Sequence, residues 1–404
     1  MIAFLFRHSF WIGIAVAILL VGEANPNERL VYFSLPLNTA MVVILAATAL
    51  MTPTAVESLR FTGWSFFLIS ISLVYGLTLS QNFEYALYKG ANLFVIVLTI
   101  SVSFQYYYKN NQQDKLWKVV ILIMLAYLIG ALLFKLKNGF WDRQVVFLMN
   151  GPIVFARLMG MAAILTLLFT KGPLRIALFT IFLLAVLWSS SKGPLLAMIL
   201  VLALMMIAHG RLVALSIIAI IIVTPFLLIP EQVFNVIRLL DGTGRIAVII
   251  ESLTLGSELS DAHSVTFGSR STAYIKTLHL IAQYPMGVGL GDWQIHTREI
   301  IQYPHNFFLE AISELGVIFG ILFVLPYVWS IFGAKNKLLW VVIFFAINQQ
   351  VSGDLLDSRY WLLFGVLACL PTREGDVGLL KALWPKMRGE PVRVAHITKP
   401  NAIP

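Results

Sequence analysis

A chain of 404 residues that is 59% hydrophobic and only 12% charged, with a mean hydropathy of +0.85, is too apolar for a soluble globular protein and reads as a polytopic membrane protein. Its formal charge of +9 reports topology and affinity for anionic lipids or phosphorylated substrates, and nucleic acid is a poor reading of it. The single cysteine, Cys369, excludes an intrachain disulfide and leaves the redox compartment open.

In chain order, Phe10 to Val21 follows Arg7 and His8 and fits either a first membrane helix or a signal peptide cleaved after Ala24. Glu23 suits a cleavage site badly and many spans follow, so an uncleaved helix is expected. Apolar segments then run at about 30–51, 61–79, 86–106, 116–136, 150–170, 173–189, 193–208 and 211–229. From Pro230 to Pro304 the chain turns mixed, with charges, Gly, Ser and amphipathic patterns such as Thr272 to Gln283, which reads as one large external domain. Spans at about 305–332 and 338–350, and a last one ending near Leu370, precede a basic tail. The predicted fold class is all-α: a polytopic integral membrane protein of about twelve transmembrane helices with one large helical external loop. Its expected divisions are 1–229, the loop at 230–304, 305–371 and the tail at 372–404. Asn348, Gln349, Gln350, Asp354 and Asp357 interrupt the last two spans, which are short, tilted or broken around a polar cavity.

Orientation follows from the connectors, because Lys and Arg near span ends favour the cytoplasm. With the N-terminus inside, Lys115, Lys118, Lys171, Arg175, Lys335, Lys337 and the tail all fall inside with more than half of the 29 Lys and Arg. Both termini are therefore expected in the cytoplasm and the long loop in the periplasm or exterior.

The stretch from Gln302 to Gly320 turns at Pro304 and presents His305 and Asn306 just before an apolar run, so His305 is expected where a membrane helix meets water. A histidine there is placed for chemistry at the membrane surface, and the positive end of the helix dipole favours its neutral, proton-accepting form. The alternative is a plain helix-starting turn. Lys135, Lys137, Arg143, Arg157, Lys192 and Arg270 run against the topological preference by lying outside, so they either bind something anionic, such as a lipid-linked diphosphate, or snorkel to lipid headgroups. Gly287, Gly289 and Gly291 lack the strand and spacing of a dinucleotide fingerprint and read as turns. Asp354 and Asp357 can cap the last helix. There is no phosphate-binding P-loop, no serine nucleophile elbow and no outer His, Cys or carboxylate set at metal-ligand spacing.

The runs SSSKGPLLAM, SRSTAYIKTLHLIAQYPMGVGLGDW and HNFFLEAISELGVIFG, in this order, resemble the O-antigen ligase family of bacterial envelope glycosyltransferases. The resemblance covers most of the chain, and the His-Asn opening followed by Gly316 and Gly320 is its more specific part. It implies the all-helical fold of lipid-carrier-dependent glycosyltransferases. The implied activity is transfer of O-antigen polysaccharide from an undecaprenyl diphosphate donor to a lipid A-core acceptor, on the periplasmic face of the bacterial inner membrane. Membrane lipids are implied partners, and nucleic acid is not. The turn at Lys192 departs from the family, which carries Arg there; the charge is kept and the bidentate fork lost.

A diphosphate is a good leaving group, so the reaction needs a base for the acceptor hydroxyl and cations for the departing charge. On this resemblance His305 is the base and Arg270, Lys192, Arg143, Arg157 and Arg298 are the cations. Asn306 and Tyr274 are supporting residues, no cofactor or metal is expected, and direct displacement inverts the anomeric carbon. A polysaccharide polymerase, a ligase acting on protein and, further off, a transporter supported by the polar interruption at 348–357 are the rival readings.

Overall fold

The computed structural model describes residues 59–91, 93, 113–140, 151–189, 191–208, 261–299, 301, 303–351 and 353–369. Expected spans at 10–21, 30–51 and 211–229, most of 86–106, the first part of the external loop and the basic tail lie outside the described residues, as does Arg143.

Among the described residues the protein is all-helical. The helices are α1 (Leu59–Leu79), α2 (Phe83–Ala91), α3 (Gln113–Asn138), α4 (Pro152–Phe169), α5 (Gly172–Trp188), α6 (Lys192–Ala208), α7 (Asp261–Gln283), α8 (Trp293–Thr297), α9 (Phe307–Phe332), α10 (Leu339–Val351) and α11 (Ser358–Cys369). Three stretches, Asp114–Asn138, Pro152–Phe169 and Phe307–Phe332, are long and apolar enough to cross a membrane, and shorter apolar helices accompany them. The expected last two spans are thus two short helices, α10 and α11, separated by a turn at 353–357.

Local sequence explains where several helices start. Gly151 and Lys171 sit in extended backbone and are followed by Pro152 and Pro173, whose fixed φ suits a first helical turn and whose missing N–H costs nothing there. Asn306 caps α9, its side-chain oxygen accepting from the Leu309 amide at 3.1 Å.

The burial pattern is that of a lipid-facing bundle. Along α9 the exposed face carries Ile318, Ile321, Leu325, Trp329 and Phe332, whereas the buried face carries Gly320, Phe323, Tyr327 and Ser330. Apolar residues out and small or polar residues in is the order expected where the solvent is hydrocarbon and small side chains let helices approach. α4 is the most enclosed span and packs against α3, α5, α6 and α10.

α9 is broken at Gly316, whose backbone (φ 77°, ψ 168°) is not helical. The break frees two carbonyls, and the glycine-rich segment after α7 meets them: the Val288 amide donates to Ser313 O and the Gly289 amide to Glu314 O, both at 3.0 Å. In return the Val317 amide donates to Pro285 O at 2.9 Å. Backbone polar groups at membrane depth must be satisfied within the protein, and here a second chain segment does it. The approach is close enough that a Cβ on Gly287 would lie 2.4 Å from the Gly316 nitrogen.

The two ends of the bundle differ in composition. At one end Lys337 lies 4.1 Å over the Phe169 ring and 3.7 Å from Asp114, and the Lys335 amide donates to Ala368 O at 2.7 Å. Lys115, Lys118, Lys171 and Arg175 are at this end too, as the connectors of α3, α4 and α5 dictate. The other end gathers the α1–α2 turn, the starts of α4 and α6, the segment 284–306 and the α10–α11 turn, and the polar chemistry is concentrated there.

Candidate active site

His305 sits one residue before the cap of α9 with a left-handed backbone, φ 57°, which few residues with a side chain adopt. The half-buried imidazole packs edge-on against the Tyr303 ring, centroids 4.5 Å apart. Asn306, besides capping α9, donates from its side-chain nitrogen to Gln350 O at 3.2 Å, so the histidine turn is tied to the end of α10. The sequence expectation of a helix start at His305–Asn306 and the chemical reading of the histidine are compatible with this geometry, since one residue caps and the other precedes it.

Near Tyr303 lies a set of charges. Arg157 on α4 is 1% exposed and its guanidinium meets the Asp357 carboxylate of the α10–α11 turn. Asp354 opens that turn and accepts from the Asp357 amide at 2.7 Å. Desolvation, with the Asp357 charge adding to it, pushes the Asp354 carboxyl up to about 6. Desolvation also holds the Tyr303 phenol well above its ordinary value, Asp354 and Asp357 pushing the same way and Arg157 opposing them. Asp354 and Asp357, readable from sequence as helix caps, thus lie near Tyr303, the ring partner of His305, and Asp354 accepts an amide just before α11 as a cap would.

Of the remaining expected site residues, Lys192, Tyr274 and Arg270 lie on described helices and Arg298 at the end of one. Lys192 is the exposed first residue of α6, and the preceding Ser191 hydroxyl donates to Pro152 O at 3.0 Å, which ties the α6 start to the α4 start that carries Arg157. Tyr274 is half-buried on α7, and Arg270 lies one turn before Ala273 in the same helix. Arg298 is exposed and closes α8 in left-handed backbone, φ 51°, its amide donating to Gln294 O. The loop helices have a small core of their own, Ala273, Leu280, Val288 and Trp293, and the Trp293 indole donates to the Thr277 hydroxyl at 2.9 Å. Asp292, fully buried, accepts from the amides of Gln81 and Asn82 and so binds the loop to the α1–α2 turn.

Sequence reasoning does not single out three further residues. Lys89 on α2 donates to Glu310 at 2.5 Å and to Glu314 at 2.8 Å, and all three side chains are at most 3% exposed. A signal for them exists, since ionisable residues inside apolar runs are costly and functional by default. Their mutual pairing, however, depends on a contact more than 200 residues apart in sequence. Among the described residues no group of three or more His, Cys, Asp or Glu is arranged to hold a metal ion.

Compared with known proteins, residues 177–325 match the family described as O-antigen ligase. The matched stretch contains Lys192, Arg270, Tyr274, Arg298, His305 and Asn306, and it contains both the glycine-rich segment and the break in α9. No curated protein matches the chain.

Proposed function

We propose that this chain, whose residues 177–325 match the O-antigen ligase family, is a membrane glycosyltransferase that moves O-antigen polysaccharide from undecaprenyl diphosphate to the lipid A-core oligosaccharide. The reaction takes place on the periplasmic face of the bacterial inner membrane, at the end of the bundle that carries His305. The observation that carries this reading is the coincidence of the family match with a histidine held in left-handed backbone at the head of a membrane helix.

His305 accepts the proton of the acceptor hydroxyl as its oxygen attacks the anomeric carbon. The bond from that carbon to the diphosphate oxygen breaks, its electron pair leaves with the diphosphate, and the configuration inverts. Lys192, Arg270, Arg298 and Arg143 supply positive charge for the departing group, with Asn306 and Tyr274 in support. Arg157 faces Asp357, so its charge is balanced by that carboxylate. No divalent metal is required in this scheme, because the cations neutralise the leaving group.

Deletion of the gene, with the lipopolysaccharide ladder and the lipid-linked polysaccharide measured together, tests the proposal. Ligation predicts loss of the whole ladder and accumulation of long lipid-linked chains. A ladder cut to a single repeat unit would instead assign the chain as a polymerase, and an unchanged ladder would remove it from this pathway.

A further inference from the structure

Two carboxylates and one ammonium are buried together where α2, α9, the glycine-rich segment and the α10–α11 turn meet. The Lys89 ammonium donates to Glu310 Oε1 at 2.5 Å and to Glu314 Oε1 and Oε2 at 3.1 and 2.8 Å. Each carboxylate also takes one backbone amide from another segment: Glu310 Oε2 accepts from Leu355 at 3.1 Å, and Glu314 Oε2 accepts from Gly291 at 2.9 Å. Glu310 in turn donates its own amide to Asn306 O at 3.0 Å, which links the set to the cap that follows His305.

Stability alone is a poor reason to bury these charges, because apolar residues of similar volume commonly do as well or better in place of a buried ion set. What apolar residues cannot do is accept the Gly291 and Leu355 amides. Those amides belong to the glycine-rich segment before His305 and to the turn that holds Asp354 and Asp357 after it. We propose that Lys89, Glu310 and Glu314 form a positioning clamp that holds the segments on either side of His305 in register. The role in turnover rests on the reading of His305 as the base. The clamp itself is a statement about the fold and is testable without substrate.

The test uses the full-length protein in lipid nanodiscs, with methionine replacing all three residues at once (Lys89→Met, Glu310→Met and Glu314→Met), so that no unpaired charge is left behind. Hydrogen exchange is followed over 286–294 and 353–357, with α3 as the internal reference. Turnover is followed with lipid-linked polysaccharide and lipid A-core. The clamp predicts a melting temperature close to that of the wild type and exchange at least tenfold faster in those two segments alone. It also predicts kcat lowered at least tenfold, with KM for either substrate within about threefold. A triple variant that exchanges and turns over like the wild type would overturn the clamp, because a merely structural ion set is replaceable.

Glu314→Gln, which removes one charge at constant volume, is the companion variant should the triple one not insert. Faster exchange over 286–294 is expected of it, and wild-type exchange and kcat would overturn the clamp equally. His305→Ala is run alongside. If it remains active, the reading of His305 fails, and the exchange data still decide the clamp.

Discussion

At His305 a residue with a Cβ occupies backbone that costs about 1 to 2 kcal/mol over the right-handed alternatives, and such positions cluster at functional sites. The imidazole packs against the Tyr303 ring, whereas Asn306 takes the capping duty. On the proposed reading of His305 as the base, His305→Ala is expected to lower kcat by roughly 100- to 10,000-fold without unfolding the protein. Asn306→Ala belongs to the other role: the lost cap predicts about 1 kcal/mol of lost stability, read as a lower melting temperature, with a smaller effect on turnover. Asp354 contributes a pH dependence. Its carboxyl, pushed up to about 6, holds a proton more readily folded than unfolded. The folded state therefore gains stability as pH falls through 6 toward the ordinary carboxyl range, and above pH 6 the gain is gone. Melting of the wild type relative to Asp354→Asn should rise between pH 7 and pH 5, and a pH-independent difference would contradict the environment described for Asp354. His305 and Asn306 were legible in the sequence because a helix start is a local event. The partners of Arg157 and Lys89 were not, because each pairs with a carboxylate at least 200 residues away.

Among elements, α9 and the glycine-rich segment are best treated as one unit. The sequence shows an apolar run after His305, with Glu310 and Glu314 inside it, and three nearby glycines that read as turns; it does not show that the run breaks at Gly316 or that the turns fill the break. Hydrophobic periodicity is blind to such a break, since Leu315, Gly316 and Val317 are apolar in either conformation. Substitution separates this from ordinary helix glycine. Gly287→Ala places a methyl 2.4 Å from the Gly316 nitrogen at a φ of 89°, so destabilisation of at least about 1 to 3 kcal/mol is expected, together with loss of activity. Gly63→Ala on α1 meets nothing within 4 Å and is predicted neutral to stabilising by up to about 1 kcal/mol. Equal melting temperatures for the two variants would mean that the segment does not pack into α9 as described. The helix spans themselves were legible to within a few residues for α1, α3, α4, α5, α6 and α10, because continuous apolar runs bounded by Pro, Gly and Lys mark them.

For the molecule as a whole, the buried Arg157–Asp357 pair connects α4 to the α10–α11 turn and so joins that span to the charges near Tyr303. Breaking one partner leaves an uncompensated buried charge, and Arg157→Met or Asp357→Leu is each predicted to cost about 3 to 5 kcal/mol, whereas the double replacement recovers much of it. Recovery of ligation by the double variant would show that Arg157 serves the fold and not the diphosphate. Among the described residues Lys115, Lys118, Lys171, Arg175, Lys335 and Lys337 share one end and the polar cluster lies at the other, and the placement of that cluster in the periplasm belongs to the proposed reaction. In the proposed reaction His305 catalyses transfer from a lipid-linked diphosphate without a metal. The most direct measurement compares wild type and His305→Ala as purified proteins with lipid-linked polysaccharide and lipid A-core in excess EDTA, reading ligated product on a gel. Undiminished ligation by the wild type under chelation and a loss of roughly 100-fold or more in the variant are expected of this reaction. Near-normal ligation by a well-folded His305→Ala protein, or wild-type activity that disappears with EDTA and returns with magnesium or manganese, would contradict it.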